Sequence, residues 1–194
     1  MTTPIQPPNI PSRQLELLAA IRGQRLVRLV RYSWLPAPEA AAEYGLRADE
    51  LFWRTAGPLV MSFARGLVVG ASSDPAQGSI VLWVERNEAG VAIPDATADD
   101  NELYPIDAVG SGAYLGGLLG RSVMTAEILR TTPTGVRQAE LPNEAGLLLL
   151  FDGSEDLVLG HGLHDGSDDF AVLRLSEIRA GLVPSVQPAG DELD

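Results

Sequence analysis

The sequence predicts an α+β fold rich in β-structure. It is a single domain made from two similar helix-plus-four-strand halves, arranged as a sandwich or a partly open barrel flanked by helices. Three observations carry that expectation. Residues 146–175, GLLLLFDGSEDLVLGHGLHDGSDDFAVLRL, read as three apolar strands joined by two acidic, glycine-containing loops. Short apolar runs bounded by turn residues also mark the first half, at Leu59 to Phe63, Leu67 to Gly70 and Ile80 to Val84. The order of these elements then repeats along the chain.

Taken in order, residues 1–11 hold four prolines and predict an extended N-terminal arm. Ser12 is placed to cap a helix whose apolar stripe, Leu15, Leu18 and Ile21, stops at Gly23. Arg25 to Ser33 mixes β-favouring residues with arginine and predicts a strand. Pro36 to Gly45, PAPEAAAEYG, is a proline-entered turn or short helix ended by glycine. Leu51, Phe52 and Trp53 lead to Gly57. A hairpin follows, turning at Ala64-Arg65-Gly66, then a loop over 72–78 containing Asp74-Pro75. Ile80 to Val84 lacks polar alternation, which predicts a strand covered on both faces with Trp83 in the core. Residues 87–111 carry six acids and form an acidic connector. Tyr114, Leu115 and Leu118 precede Gly120, and Val123 to Leu129 reads as a strand.

The repeat relates residues 12–86 to residues 112–176 within one domain spanning 12–183, followed by a flexible acidic tail at 184–194. Leu18, Ile21 and Gly23 match Leu115, Leu118 and Gly120. Leu59 and Phe63 match Leu147 and Phe151; Leu67, Val68 and Gly70 match Leu157, Val158 and Gly160; Ile80 to Trp83 match Phe170 to Leu173. On this alignment the hairpin turn grows from ARG to DGSED, and the next loop changes from SSDPAQGS to GLHDGSDD. Acidity enters where strands need it least.

The charge is equally one-sided. All fourteen basic residues are arginine; nine of them, with nine acids, precede residue 98, so the formal net charge of −12 belongs entirely to the second half. Such asymmetry repels phosphate backbones and speeds encounter with a basic partner. Nucleic acid is therefore not expected as a partner, although Arg22, Arg25, Arg28 and Arg31 recur every third residue. No uninterrupted apolar run is long enough to span a bilayer, and the first residues lack the layout of a signal peptide. Together with the absence of cysteine, this predicts a cytoplasmic protein with no membrane partner.

Candidate chemistry concentrates in HGLHDGSDD, where His161, His164, Asp165, Asp168 and Asp169 lie within nine residues. The residue types suit a divalent metal or an acid–base pair, but the spacing matches neither HExxH nor a calcium loop. No GxSxG elbow and no GxGxxG phosphate loop is present. The reading is therefore not an enzyme, with no catalytic residue and no cofactor. A metal-dependent hydrolase using His161, His164 and Asp165 is the first alternative, and a structural homo-oligomer that binds a small ligand is the second.

The tail-half pattern GLLLLFDGSEDLVLGHGLHDGSDDFAVL resembles small acidic bacterial proteins of the immunity type, which bind and neutralise a toxin domain encoded beside them. The likeness covers the last third of the chain and reaches the first half through the repeat; the proline-rich arm and the EAAAE insertion have no counterpart in it. It implies a stoichiometric binder that neutralises a cognate toxin or effector with a basic surface. The residues assigned to that contact are Asp152, Glu155, Asp156, Asp165, Asp168 and Asp169, with Trp34 and Trp53 as aromatic anchors. A homodimer is left open.

Overall fold

The computed structural model describes residues 9–91, 103–133, 136–153, 155–166, 169–180 and 185–188. The first half runs α1 (Leu15–Ile21), β1 (Leu26–Ser33), α2 (Ala37–Tyr44), α3 (Leu51–Arg54), β2 (Leu59–Phe63), β3 (Val68–Asp74), β4 (Ser79–Arg86) and β5 (Tyr104–Asp107). The second runs α4 (Ala113–Leu118), β6 (Val123–Arg130), α5 (Val136–Ala139), β7 (Gly146–Phe151), β8 (Asp156–His161), β9 (Phe170–Leu173) and β10 (Ser185–Pro188). Each half forms its own open antiparallel sheet, ordered β4-β3-β2-β1-β5 and β9-β8-β7-β6-β10. The fold is α+β and β-rich, as expected. Each half contributes five strands, however, not four: Tyr104–Asp107 in the connector and Ser185–Pro188 in the tail each add an edge strand to the first strand of their half.

The halves meet at a shared corner. Arg25 and Ser122 face each other as an antiparallel bridge. Leu26 N–H donates to Arg121 O and Val123 N–H to Gln24 O, each at 2.9 Å; Gly23 N–H donates to Val123 O and Gly120 N–H to Leu26 O, each at 2.7 Å. A shift of 97 positions carries every bond of this set onto its twin, so a pseudo-two-fold axis passes through the bridge. Gly23 and Gly120 adopt φ 75° and 87°. That left-handed turn, cheap only for glycine, is what lets each helix end and its strand begin at the axis.

The strand registers repeat too. Leu26 pairs with Phe63 and Val123 with Phe151, and in both strands the ladder then slips by one residue, at Val27 and at Met124. These are β-bulges at equivalent positions. The matched register also corrects part of the sequence alignment. Met61 pairs with Val69 and Leu149 with Leu157, so Leu157 corresponds to Val69 and Leu67 corresponds to Glu155. The two hairpin turns are thus equally long, closed by Phe63 N–H to Leu67 O at 2.8 Å and Phe151 N–H to Glu155 O at 2.9 Å. The β7–β8 turn has not grown; it has exchanged Ala64, Arg65 and Leu67 for acids and small residues.

The inner faces of both sheets share one core. Leu29, Leu59, Met61, Val69, Ile80 and Leu82 from the first meet Val123, Ile128, Leu147, Leu149, Leu157, Leu159 and Val172 from the second. Leu18 and Ile21 of α1 and Leu115 and Leu118 of α4, all fully buried, plug the same interior. Full burial of one such side chain contributes about 1.5–3 kcal/mol, so the interior dominates stability. The stripe of α1 is Leu17, Leu18 and Ile21, while Leu15 faces solvent. Ser12 does not cap that helix; its backbone N–H donates to Glu144 Oε2 at 2.8 Å.

The outer faces differ. On the second sheet Leu129, Leu148, Val158, Ala171 and Leu173 form a second core under Leu163, Ala145 and Ile178. On the first sheet Trp83 lies outward, contrary to its predicted core position. Its indole covers Gly70 on the neighbouring strand, where any Cβ would overlap it, and its Nε1 donates to Glu85 at 3.2 Å. A glycine in a strand interior leaves a hole, and a cross-strand aromatic fills it.

The outermost strands β4 and β9 have their edges partly covered. The outer edge of β4 receives Asn9 O on Leu82 N–H at 2.8 Å and Glu144 O on Ile80 N–H at 3.0 Å. The described end of the N-terminal arm is therefore docked, with Ile10 buried. At the other edge, Phe170 O of β9 accepts a hydrogen bond from Arg31 Nη2 at 2.6 Å. The arm of the first half and a segment of the second together close off β4, and one side chain of β1 reaches the edge of β9.

Candidate functional site

Arg31 is the most unusual group in the interior. It points inward between Leu59 and Ile106, is fully buried, and donates from Nε and Nη2 to Thr55 O as well as to Phe170 O. Its guanidinium also stands 4.5 Å over the Phe170 ring. Burial pulls its pKa down to about 9, so it stays charged at neutral pH. Nη1 meets no acceptor among the described residues. Arg22, Arg25 and Arg28 are exposed, so the four regularly spaced arginines do not make one ridge.

The acidic residues fall at two places. Asp152 and Glu155 flank the β7–β8 turn and surround Arg121, whose Nη2 binds Glu155 Oε1 at 3.1 Å and whose Nη1 donates to Asp152 O at 3.2 Å. The Asp152 carboxylate is looser, 3.9 Å from the same arginine and about half exposed. Asp156 turns away from that group to accept the Leu175 backbone N–H.

Asp165 and Asp169 belong to the β8–β9 loop, at the opposite end of β8. The five steps along the six-residue strand β8, at about 3.4 Å each, separate the two places by roughly 17 Å. One flat partner surface does not meet both sets of acids end-on. Asp168 lies outside the described residues.

The β8–β9 loop is firmly seated. Leu163 is fully buried in the outer core of the second sheet, in space left by Gly146 and Gly160, where a Cβ would crowd its side chain. Gly162 N–H donates to Asp169 O at 3.2 Å, Gly166 N–H to Gly162 O at 2.9 Å, and Arg179 Nη1 to Asp165 O at 2.8 Å. On this base His164 Nε2 pairs with Asp165 Oδ2 at 3.0 Å. His161, at the end of β8, pairs in register with Phe170. Among the described residues no group of three or more His, Cys, Asp or Glu side chains is disposed to hold a metal ion.

The aromatic residues separate as well. Trp34 is about half exposed just beyond β1. Trp53 is half-buried and packed against the core: its ring lies 6.1 Å from Tyr114 and 6.2 Å from Phe52, and the Arg174 guanidinium stacks 3.9 Å over Tyr114 and 5.9 Å from Trp53. Tyr114 OH donates to Asp156 O at 2.6 Å and accepts from Asp156 N–H at 3.1 Å. Burial raises the Tyr114 pKa, which keeps the phenol a donor there. This cluster ties α3, α4 and β8 together. The Tyr114 hydroxyl spends both its donor and an acceptor site on Asp156, so the cluster reads as a tertiary staple.

Sequence reasoning missed Arg31, Arg121 and Arg174. The signal for Arg121 was available: it stands where Gln24 stands in the first half. Comparison with protein-family models, with curated proteins and with solved structures returns no match to this chain. No helix among the described residues is long and apolar enough to cross a membrane.

Proposed function

We propose that this chain is a stoichiometric protein-binding protein of the toxin-neutralising immunity type, and that its contact surface is the β8–β9 loop carrying Asp165 and Asp169. The observation that supports this reading is the comparison of equivalent loops. Ser73 and Ile80 are paired, with residues 74–79 between them; His161 and Phe170 are paired at the matching place, with residues 162–169 between them. The second loop is longer by two residues, and the extra length is polar, acidic and anchored by a buried leucine. The fold does not require it, because the first half closes the same hairpin without it.

An anchored loop presents its charges with little loss of chain entropy on binding. Carboxylates on it attract a basic surface, speeding encounter and setting register. Of the two tryptophans, Trp34 is the more exposed and is the one left to anchor such a contact; Trp53 packs against Tyr114 and Phe52. Co-purification with the protein encoded in the adjacent reading frame, repeated with Asp165→Arg/Asp169→Arg, tests the reading. A complex that weakens tenfold or more in the variant supports it. An adjacent product that is not captured, or that binds both proteins equally, contradicts it.

A further inference from the structure

The second acidic place, the β7–β8 turn, sits on a different surface, and the pseudo-two-fold axis governs what that surface can do. The β2–β3 turn hangs from Arg25, whose O accepts Ala64 N–H at 2.9 Å; the β7–β8 turn hangs from Ser122, whose O accepts Asp152 N–H at 3.0 Å. The axis therefore exchanges the two turns. Their charges are opposite. The first carries Arg65, Arg25 and Arg22, all exposed, against a single carboxylate beside the turn, Glu88, which Gln24 holds at 2.6 Å, so it stays net basic. The second presents Asp152 and Glu155 around Arg121. Beside each turn the equivalent bulge exposes an apolar side chain, Val27 at 48% and Met124 at 56%. A bulge re-aims a side chain, and here it re-aims two large apolar ones into solvent at symmetric positions.

We infer that this corner is an interface for a second copy of the chain. A surface whose two ends are related by rotation but opposite in sign is complementary to itself. When a second copy is turned over to face the first, each Arg65 lies against the partner's Asp152, and Val27 and Met124 meet between the two charged zones. The contact is isologous and closes as a two-fold dimer. Each copy's β8–β9 loop stays free at the far end of β8, so this inference does not rest on the partner-binding role of that loop. With two exposed apolar residues per copy at its centre, the interface belongs to the weak, salt-sensitive class.

Charge exchange tests it. Sedimentation equilibrium of the wild-type chain at low salt shows a concentration-dependent dimer that weakens at least tenfold in high salt. Arg65→Asp makes both turns acidic and Asp152→Arg makes both basic, so each variant alone is monomeric. Mixed one to one, they form a heterodimer, and the double variant Arg65→Asp/Asp152→Arg dimerises with itself. The substituted side chains are exposed, and the double variant controls for folding. A wild-type chain that is monomeric at every concentration overturns the inference, as do single variants that dimerise undiminished or a mixture that stays monomeric.

Discussion

Gln24 and Arg121 occupy twofold-related positions and perform the same two tasks. Gln24 Nε2 donates to Ala20 O at 3.0 Å and to Glu88 Oε1 at 2.6 Å; Arg121 donates from Nε to Gly117 O at 3.4 Å and from Nη2 to Glu155 Oε1 at 3.1 Å. Each ties the carbonyl end of its helix to a glutamate on a neighbouring segment. The shared framework specifies a donor at this position, and charge is optional.

Replacing Arg121 with glutamine therefore leaves the fold intact. The loss should stay within about 1 kcal/mol, the scale of an exposed ion pair. Gln24→Ala costs more, about 1–3 kcal/mol, because Gln24 is only 3% exposed. Urea unfolding of both variants checks the ranking, and a larger loss for Arg121→Gln would contradict it.

Arg31→Met removes a buried cation but also strips donors from Thr55 O and Phe170 O. Charged hydrogen bonds of this kind contribute about 1.5–3 kcal/mol each, offset by relief of desolvation, so a net loss of about 2–4 kcal/mol is expected. The pH dependence has a definite sign. With a folded pKa near 9, pulled by burial well below the ordinary arginine value that the unfolded chain keeps, the unfolded chain binds more protons above pH 9, and the contribution of Arg31 to stability rises as pH rises through that value. Below pH 9 the cost of burying the charge is fully present and does not vary. The wild-type advantage over Arg31→Met should thus widen, by at most about 2 kcal/mol, between pH 8 and pH 10.5. Denaturant midpoints for both proteins at the two pH values measure it, and a narrowing gap would refute it.

Gly70→Val drives the Trp83 indole off the sheet. Expected are a red-shifted tryptophan emission and a loss of about 1–3 kcal/mol, the usual cost of overpacking. Unchanged emission would mean that the cross-strand contact is not maintained in solution.

Glu144 is 2% exposed and joins Arg130, at 2.9 Å, to the backbone N–H of Ser12. Glu144→Gln retains the shape but not the charge. A loss of about 1–3 kcal/mol is expected, with faster amide exchange at Ser12 and Leu82 as the docked arm loosens. Hydrogen exchange at those two amides reads it directly.

Much of the architecture was legible because its signals are local. Leu18, Ile21 and Gly23 repeat as Leu115, Leu118 and Gly120 with constant spacing, since each pair of leucine-type residues must enter the core just before a left-handed turn. The hairpin phase was misread where a buried-looking Leu67 aligns by eye with Leu157. The backbone instead matches it to Glu155, and an apolar-to-acid exchange hides the equivalence. The edge strands YPID and SVQP escaped notice because they are four residues long and contain proline, which edge strands tolerate. Arg31 is legible in the sequence only as one of four arginines that recur every third residue, because nothing in its neighbours announces that β1 turns it inward. The separation of the two acidic places follows from hairpin connectivity alone, since consecutive turns lie at opposite ends of the strand they share.

The central claim is that the acids of the β8–β9 loop serve contact and not folding. Titration calorimetry of Asp165→Arg/Asp169→Arg against the product of the adjacent reading frame, the partner proposed for this loop, paired with urea unfolding of the same variant, tests it most directly. The account predicts an unfolding midpoint within about 1 kcal/mol of wild type, as for surface charges generally, together with affinity lowered tenfold or more. Undiminished affinity in a folded variant would contradict it, and so would a variant that no longer folds.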